Sequence, residues 1–437
     1  MKNNTIQYLT VNILAQCQSN VLKLLGTTLL FSLMTRNTFS QVLEGVDYSR
    51  LKHVYHTFDM AGEDIFGQRF PAENYSFVDR GTGVTVNALT TSRHSSSKMY
   101  QTHPQWTPDG KYVVFTSNRT VRQERGGGQA YALSMENFEI VQITTGDRGY
   151  NLHLGWHKNS AYHIRENQVT ELKLGNLLSD SEQGKVGSPD DYELVLGHIP
   201  DSIRPSGLGL DASEKRIFFS SRLEKDLSAI YSFDFETGKT TKLLEVPVWI
   251  GHLQANPYVS GEMMYCWETG GDSPQRMWYL SVAPDGKVTN RPVYQERDND
   301  WVTHEVFMGP DRILFHLMGH LDRLQVNQTG LYSLNVRTNQ LNFHGQTGAG
   351  GYWHCNASPD LKYLVADTFD GKLYRINASN PDDVVLLTQG HRLQSISPFT
   401  REAHLHPSVS PDGQWVLINS SLLTESDIML VPLFPKW

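Results

Sequence analysis

Apolar residues along this chain recur in short alternating runs, not at helical spacing. "KYVVFTS" (111–117), "RIFFSSR" (216–222), "RILFHLM" (312–318), "KYLVADTF" (362–369) and "QWVLINS" (414–420) are rich in β-branched and aromatic residues. Such runs, bounded by turn formers, read as strands. Each follows a turn, in the clearest copies Pro108-Asp109-Gly110 and Pro411-Asp412-Gly413, with Pro310-Asp311 and Pro359-Asp360 as variants. The turn chemistry is mechanistic: Pro presets φ, Asp bonds its own backbone, and Gly accepts positive φ. Weaker copies turn at His157-Lys158, Ala212-Ser213 and Gly261. With Asp109, Lys158, Ser213, Gly261, Asp311, Asp360 and Asp412 as anchors, the intervals are 49, 55, 48, 50, 49 and 52 residues. Further strands follow within the units, such as "AIYSFDF" (229–235), "GLYSLNV" (330–336) and "KTTKLLEV" (239–246), and no long amphipathic helix competes. Seven units of about four strands each predict an all-β, seven-bladed β-propeller. The last unit shows three strands, ending at "DIMLVPL" (427–433). The fourth is expected from "GVTVNALT" (83–90), so that an N-terminal strand closes the ring and removes an exposed sheet edge.

Histidines keep phase with this repeat. His103 lies six residues before Asp109, His304 seven before Asp311, His354 six before Asp360, and His404 and His406 eight and six before Asp412. His252 lies nine before Gly261, and Arg204 nine before Ser213. These positions fall in or just before the first strand of each unit, the innermost strand of a propeller blade. Imidazoles from separate blades therefore converge on the axis. Crowded, buried imidazoles resist protonation and present neutral nitrogens as bases or metal ligands. His404 and His406, two residues apart, are expected on one face of a strand, and His354 from the neighbouring blade completes a three-imidazole metal site. Nitrogen donors suit Mn, Fe, Zn or Ni and do not choose among them. His252, Gln254 and Asn256 alternate on one strand face and are expected toward the channel, with Arg204 and His103, as substrate contacts. Trp249, Trp267, Trp278 and Trp301 are candidates for stacking on sugar rings or for blade-core packing.

The chain has 437 residues and a net charge of −8. That balance excludes the basic footprint of a nucleic-acid binder. A protein of this charge that grips an anion must do so with a local group of cations. Lys2 and Lys23 precede the apolar run Leu24–Met34, and a small residue stands at Ser40. We read residues 1–40 as a secretory signal cleaved before Gln41, which places the protein in the periplasm or outside the cell. The apolar run is too short for a comfortable membrane span. Residues 41–75 read as an N-terminal extension and 76–437 as the propeller. Of three cysteines, Cys17 lies in the leader, while Cys266 and Cys355 could pair or stay free.

The motifs "KMYQTHPQWTPDG", "WIGHLQANP", "CWETGGDSPQRMW", "VTHEVF", "GGYWHCNASPD" and "AHLHPSVSPDG", in this order, resemble the oligogalacturonate lyases. Those are seven-bladed propellers that split pectin-derived uronide oligomers by β-elimination. The resemblance runs from about Phe77 to the C-terminus. It implies that His304 is the general base, that Arg276 grips the substrate, and that His354, His404 and His406 hold a divalent metal, typically manganese. In the family pattern a glutamine ligand stands three residues before the first histidine of the pair; here that position is Arg401. An arginine offers no lone pair to a cation. Either three imidazoles and water suffice, or Arg401 replaces the metal's charge and itself contacts substrate. The implied partner is an acidic oligosaccharide, oligogalacturonate or a related uronide such as ulvan, yielding 4,5-unsaturated products. The same scaffold also admits a dehydratase or glycoside hydrolase acting on a terminal uronate, or a non-catalytic periplasmic propeller.

Overall fold

The computed structural model describes residues 65–92, 94–119, 128–145, 152–269, 273–319, 327–347, 351–392, 403–424 and 426–436. The proposed leader with Cys17, the first part of the extension, and Arg401 lie outside these residues.

Seven antiparallel sheets follow one another along the chain, and together they form the β-propeller that the repeat implies. In each blade the strand earliest in its unit stands at one end of the sheet: Ser96–Lys98, Leu152–Leu154, Pro205–Leu210, Ile250–Ala255, Asp300–Gly309, Tyr352–Ala357 and Ser408–Val409. Among them, Pro205–Leu210 touches both Leu152–Leu154 and Ile250–Ala255, and Tyr352–Ala357 touches both Asp300–Gly309 and Ser408–Val409. The seventh sheet is composite. Asp427–Pro432 pairs antiparallel with Thr85–Ala88, through Asn87 against Leu430 and Ala88 against Met429, and Tyr75–Val78 adds a fifth strand. Arg69–Phe70 likewise extends the first blade by pairing with Ile140–Gln142. A buried ion pair between Glu73 and Arg119 ties this N-terminal segment to the first blade.

The apolar runs are nearly continuous because both faces of each blade are covered. Tyr112–Ser117, for example, is buried at five of its six positions. Side chains from facing sheets fill the spaces between blades. Phe115, Leu133, Leu417 and Ile428 join the seventh blade to the first, and Phe218, Ile230, Met263 and Leu280 join the third to the fourth. Three turns repeat one hydrogen-bond design. Asp109, Asp360 and Asp412 each accept a hydroxyl donated two residues earlier (Thr107, Ser358, Ser410) and the backbone N–H two residues later. The hydroxyl oxygens then accept the N–H of Tyr112, Tyr363 and Trp415 at the start of the next strand. Gly110 and Gly413 sit at φ +72° and +68°, the left-handed conformation that glycine adopts without steric cost. Among the described residues one α-helix, Leu174–Glu182, packs on the second blade through Leu174, Leu177 and Leu178. Among the described residues no helix is long and apolar enough to cross a membrane. Cys266 and Cys355 are both buried and free.

Candidate active site

The innermost strands of four consecutive blades carry the same irregularity. In each, two residues oppose one on the next strand: Gly207-Leu208, His252-Leu253, His304-Glu305 and Trp353-His354. The first residue of the bulge is left-handed in three of them: Gly207 at φ +68°, His252 at +46° and His304 at +55°. His406, just before Ser408–Val409, is at +47°. Left-handed non-glycine residues cost on the order of 1–3 kcal/mol each and gather at functional sites. Here the bulge re-aims each imidazole out of the pleat.

Five imidazoles meet as a result. Ring centroids of His304 and His354 are 4.1 Å apart, and those of His354 and His406 4.2 Å. His404 lies 5.5 Å from His354 and 5.6 Å from His406. His252 stacks 6.4 Å from His304. Tyr100, which follows the first blade's innermost strand, closes the group at 5.4 Å from His252, 6.4 Å from His354 and 4.9 Å from His406. One nitrogen from each of His354, His404 and His406 can meet within a 4.8 Å span.

Each ring has an orienting partner or a crowded neighbour. His354 Nδ1 lies 2.9 Å from the carboxylate of Asp367, which also accepts the His354 backbone N–H at 2.5 Å. The carboxylate holds the proton at Nδ1 and leaves the Nε2 lone pair for a metal. His304 Nδ1 lies 3.0 Å from the Trp353 carbonyl. Burial, and then the neighbouring imidazoles and cations, hold His304, His354 and His406 well below the ordinary histidine value. Asp367, fully buried, is pushed up to about 7. Lys98 is buried beside it; burial lowers its pKa to about 7, and its Nζ donates to the carbonyls of His406 (2.6 Å) and Met99 (2.9 Å).

Arg276 enters from the other side. Its Nε donates to Glu305 Oε2 at 3.2 Å, Nη1 lies 3.5 Å from Glu268, and Nη2 lies 3.2 Å from His252 Nδ1. Burial alone would raise the Glu305 carboxyl, but Arg276 and His252 outweigh it and hold Glu305 well below the usual range. Glu296 accepts the Arg276 backbone N–H, yet burial raises it to about 8. His252, Cys266 and Glu305 also converge, but the guanidinium already stands among them.

Arg276, His252, His304, His354, His404 and His406 thus belong to one site. Other candidates do not join it. The bulge breaks the strict alternation read from the sequence: Gln254 falls in phase with Gly251, not with His252. The Gln254 amide donates to the Glu305 carbonyl at 2.7 Å, and the Asn256 amide donates to Glu262 and to the Pro310 carbonyl, both at 3.0 Å. These two side chains bind neighbouring strands and turns instead of facing ligand. His103 packs 4.9 Å from His153, and its Nε2 lies 3.1 Å from the Leu208 carbonyl. Arg204 is exposed beside the third blade. Trp249 is exposed and lies under the Arg222 guanidinium, whereas Trp278 stacks on Tyr265 and donates to the Gln275 carbonyl. The sequence reading missed Tyr100, Lys98, Glu305 and Asp367. Asp367 and Glu305 did carry a signal, as acids inside otherwise buried strands, which are rarely unpaired.

A seven-bladed propeller with an imidazole cluster able to bind metal, and a buried arginine beside it, is the class of protein that fold and site define. Within that class the chain is similar to the oligogalacturonate lyase of Dickeya dadantii (strain 3937), 21% identical over 382 residues, which cover 82% of this chain and 95% of that protein. It superposes on an oligogalacturonate lyase in complex with manganese (TM-score 0.70, 19% identity, 84% of this chain and 98% of the other). It superposes equally on the oligogalacturonate lyase of Vibrio parahaemolyticus (TM-score 0.69, 19% identity, the same coverage). No protein-family model matches the chain.

Proposed function

We propose that this protein is a lyase that cleaves uronate-containing oligosaccharides by β-elimination. The observation that carries the reading is the contact of His304 with both halves of the site: His354 of the three-imidazole group, and His252, which Arg276 touches.

Removing the C5 proton of a uronate builds negative charge onto the adjacent carboxylate, so cations must be in place before the proton leaves. Preorganised contacts of this kind contribute on the order of 3 kcal/mol each to the transition state. Arg276 presents Nη2 beside His252, while Glu305 and Glu268 fix the rest of its fork. His354, His404 and His406 fit a divalent cation, manganese by analogy with the similar solved structure: three nitrogen donors converge, and Asp367 orients one of them. Such a cation, when bound, polarises the carboxylate. His304 keeps a proton on Nδ1 for the Trp353 carbonyl, so its Nε2 lone pair accepts the C5 proton. The electrons of the C5–H bond form the C4=C5 double bond, the C4–O4 bond breaks, and O4 leaves with its electron pair. Galacturonate oligomers are the proposed substrate, since the relatives named above are oligogalacturonate lyases; ulvan oligomers are the second uronide to assay.

The test is incubation of the manganese-loaded protein with oligogalacturonate and with ulvan oligomers, following ultraviolet absorbance of the unsaturated uronate. Rising absorbance that His304→Ala abolishes supports the reading. No rise on either substrate refutes it. Mass spectrometry separates chain cleavage from loss of water.

A further inference from the structure

Elimination needs a second proton transfer. O4 departs with an electron pair, and its release is slow unless a proton donor meets it. His304 cannot serve at that instant, because its Nε2 is taking the C5 proton. Two of the Lys98 Nζ donors are held by the carbonyls of His406 and Met99. One nitrogen from each of His354, His404 and His406 converges on the group that would hold the metal.

Tyr100 is the O–H donor in this cluster. Its ring and that of His304 touch the same two neighbours: His252, at 5.4 Å and 6.4 Å, and His354, at 6.4 Å and 4.1 Å. Phenol and proposed base therefore border one space. The backbone at Tyr100 is anchored, since its carbonyl accepts the His103 N–H at 2.9 Å and the Gln105 amide at 3.0 Å. A tyrosine hydroxyl is a neutral donor.

We propose that Tyr100 is a further catalytic residue, the proton donor to the departing C4 oxygen; this rests on the uronate-lyase reading of the site. As His304 Nε2 takes the C5 proton and the C4–O4 bond breaks, the Tyr100 O–H bond breaks toward O4 and the product leaves as an alcohol. The phenolate regains its proton from solvent, and His304 releases its own to solvent. No oxidant or further reactant is needed.

The experiment compares Tyr100→Phe with wild type on two substrates. One is oligogalacturonate. The other is galacturonate carrying 4-nitrophenoxide at C4, a leaving group stable without a proton. On the oligomer, kcat of Tyr100→Phe falls about 10²–10⁴-fold, the usual contribution of a general acid. On the aryl substrate it changes by less than about tenfold. Circular dichroism and the manganese-induced rise in melting temperature match wild type. Equal losses on both substrates, or an unchanged kcat on the oligomer, overturn the assignment. His304→Ala fails on both substrates. If wild-type protein releases no unsaturated product from either, the lyase reading falls and takes the proton-donor role with it.

Discussion

The Nδ1 of His304 lies 3.0 Å from the carbonyl oxygen of Trp353, across the boundary between the fifth and sixth blades. A carbonyl only accepts, so this contact places the proton on Nδ1 and leaves Nε2 as the basic nitrogen. The indole of Trp353 also packs edge-on against the same imidazole, with ring centroids 4.4 Å apart. One neighbour thus sets both the tautomer and the tilt of the ring.

The backbone at this position is costly, and that cost can be separated from the chemistry. His304 holds φ +55°. Glycine accepts that angle freely and alanine does not. His304→Gly should therefore melt above His304→Ala by a margin worth about 1 kcal/mol, while both lose elimination activity. Thermal denaturation of the two variants checks this, and equal melting temperatures would contradict a strained bulge.

Acid inactivation should come late. The active form of His304 is the neutral ring, and burial together with His354 lowers its pKa well below the ordinary histidine value. The profile of kcat/KM should stay flat as pH falls through about 6.5, the unperturbed histidine value, and drop only below it. An acid limb at or above that value argues against His304 as the base.

Metal affinity should depend on a residue that touches no metal. Asp367 holds His354 through Nδ1 at 2.9 Å. Asp367→Asn should weaken manganese binding about 10–100-fold, read by calorimetric titration. The single variants His354→Ala and His406→Ala should abolish the manganese-induced rise in melting temperature. Unaltered affinity in Asp367→Asn would mean that the carboxylate serves only the fold.

Glu296 gives a stability signature of opposite sign to the usual carboxylate. Its folded pKa is raised to about 8 by burial, above the ordinary glutamate value of 4.5. Between those two values the unfolded chain ionises and the folded one does not, so this group makes folding less favourable as pH rises through that window. Glu296→Gln keeps an acceptor for the Arg276 N–H and removes the titration. Its melting temperature should exceed that of wild type at pH 8, and the gain should vanish near pH 4. A constant difference across the window would show that Glu296 is not the titrating group.

The Arg276–Glu305 pair should behave as one unit. Both partners are buried, with Nε and Oε2 3.2 Å apart. Removing one partner leaves an uncompensated buried charge, at a cost of about 3–5 kcal/mol. Arg276→Met and Glu305→Gln should each destabilise the protein, and the double variant should lose less than the sum. Denaturant titration of the cycle measures the coupling; strict additivity would refute it.

Much of this architecture is legible in one dimension. A turn is decided by a few adjacent residues, and a strand by alternation over five or six, so Pro108-Asp109-Gly110, its counterparts and the apolar runs behind them reveal the blade count and the place of the innermost strands. The phase of His252, His304, His354, His404 and His406 against those turns follows from the same local rules. The misplacement of Gln254 and Asn256 has a definite cause. A bulge inserts a residue into the pleat without any mark in the pattern of polarity, so Gln254 and Asn256 turn away from the face that His252 serves.

The sequence alone therefore determined a ring of seven sheets and the set of imidazoles near its axis, because turn chemistry and side-chain alternation act between near neighbours. Tertiary structure decided which groups meet. Asp367 reaches His354 from the next strand, and Arg276 grips Glu305 from 29 residues away. Tyr100 stands against His406, a residue more than three hundred positions further along the chain. That last contact exists because the ring closes, and closure is a property of the whole chain that no short stretch encodes.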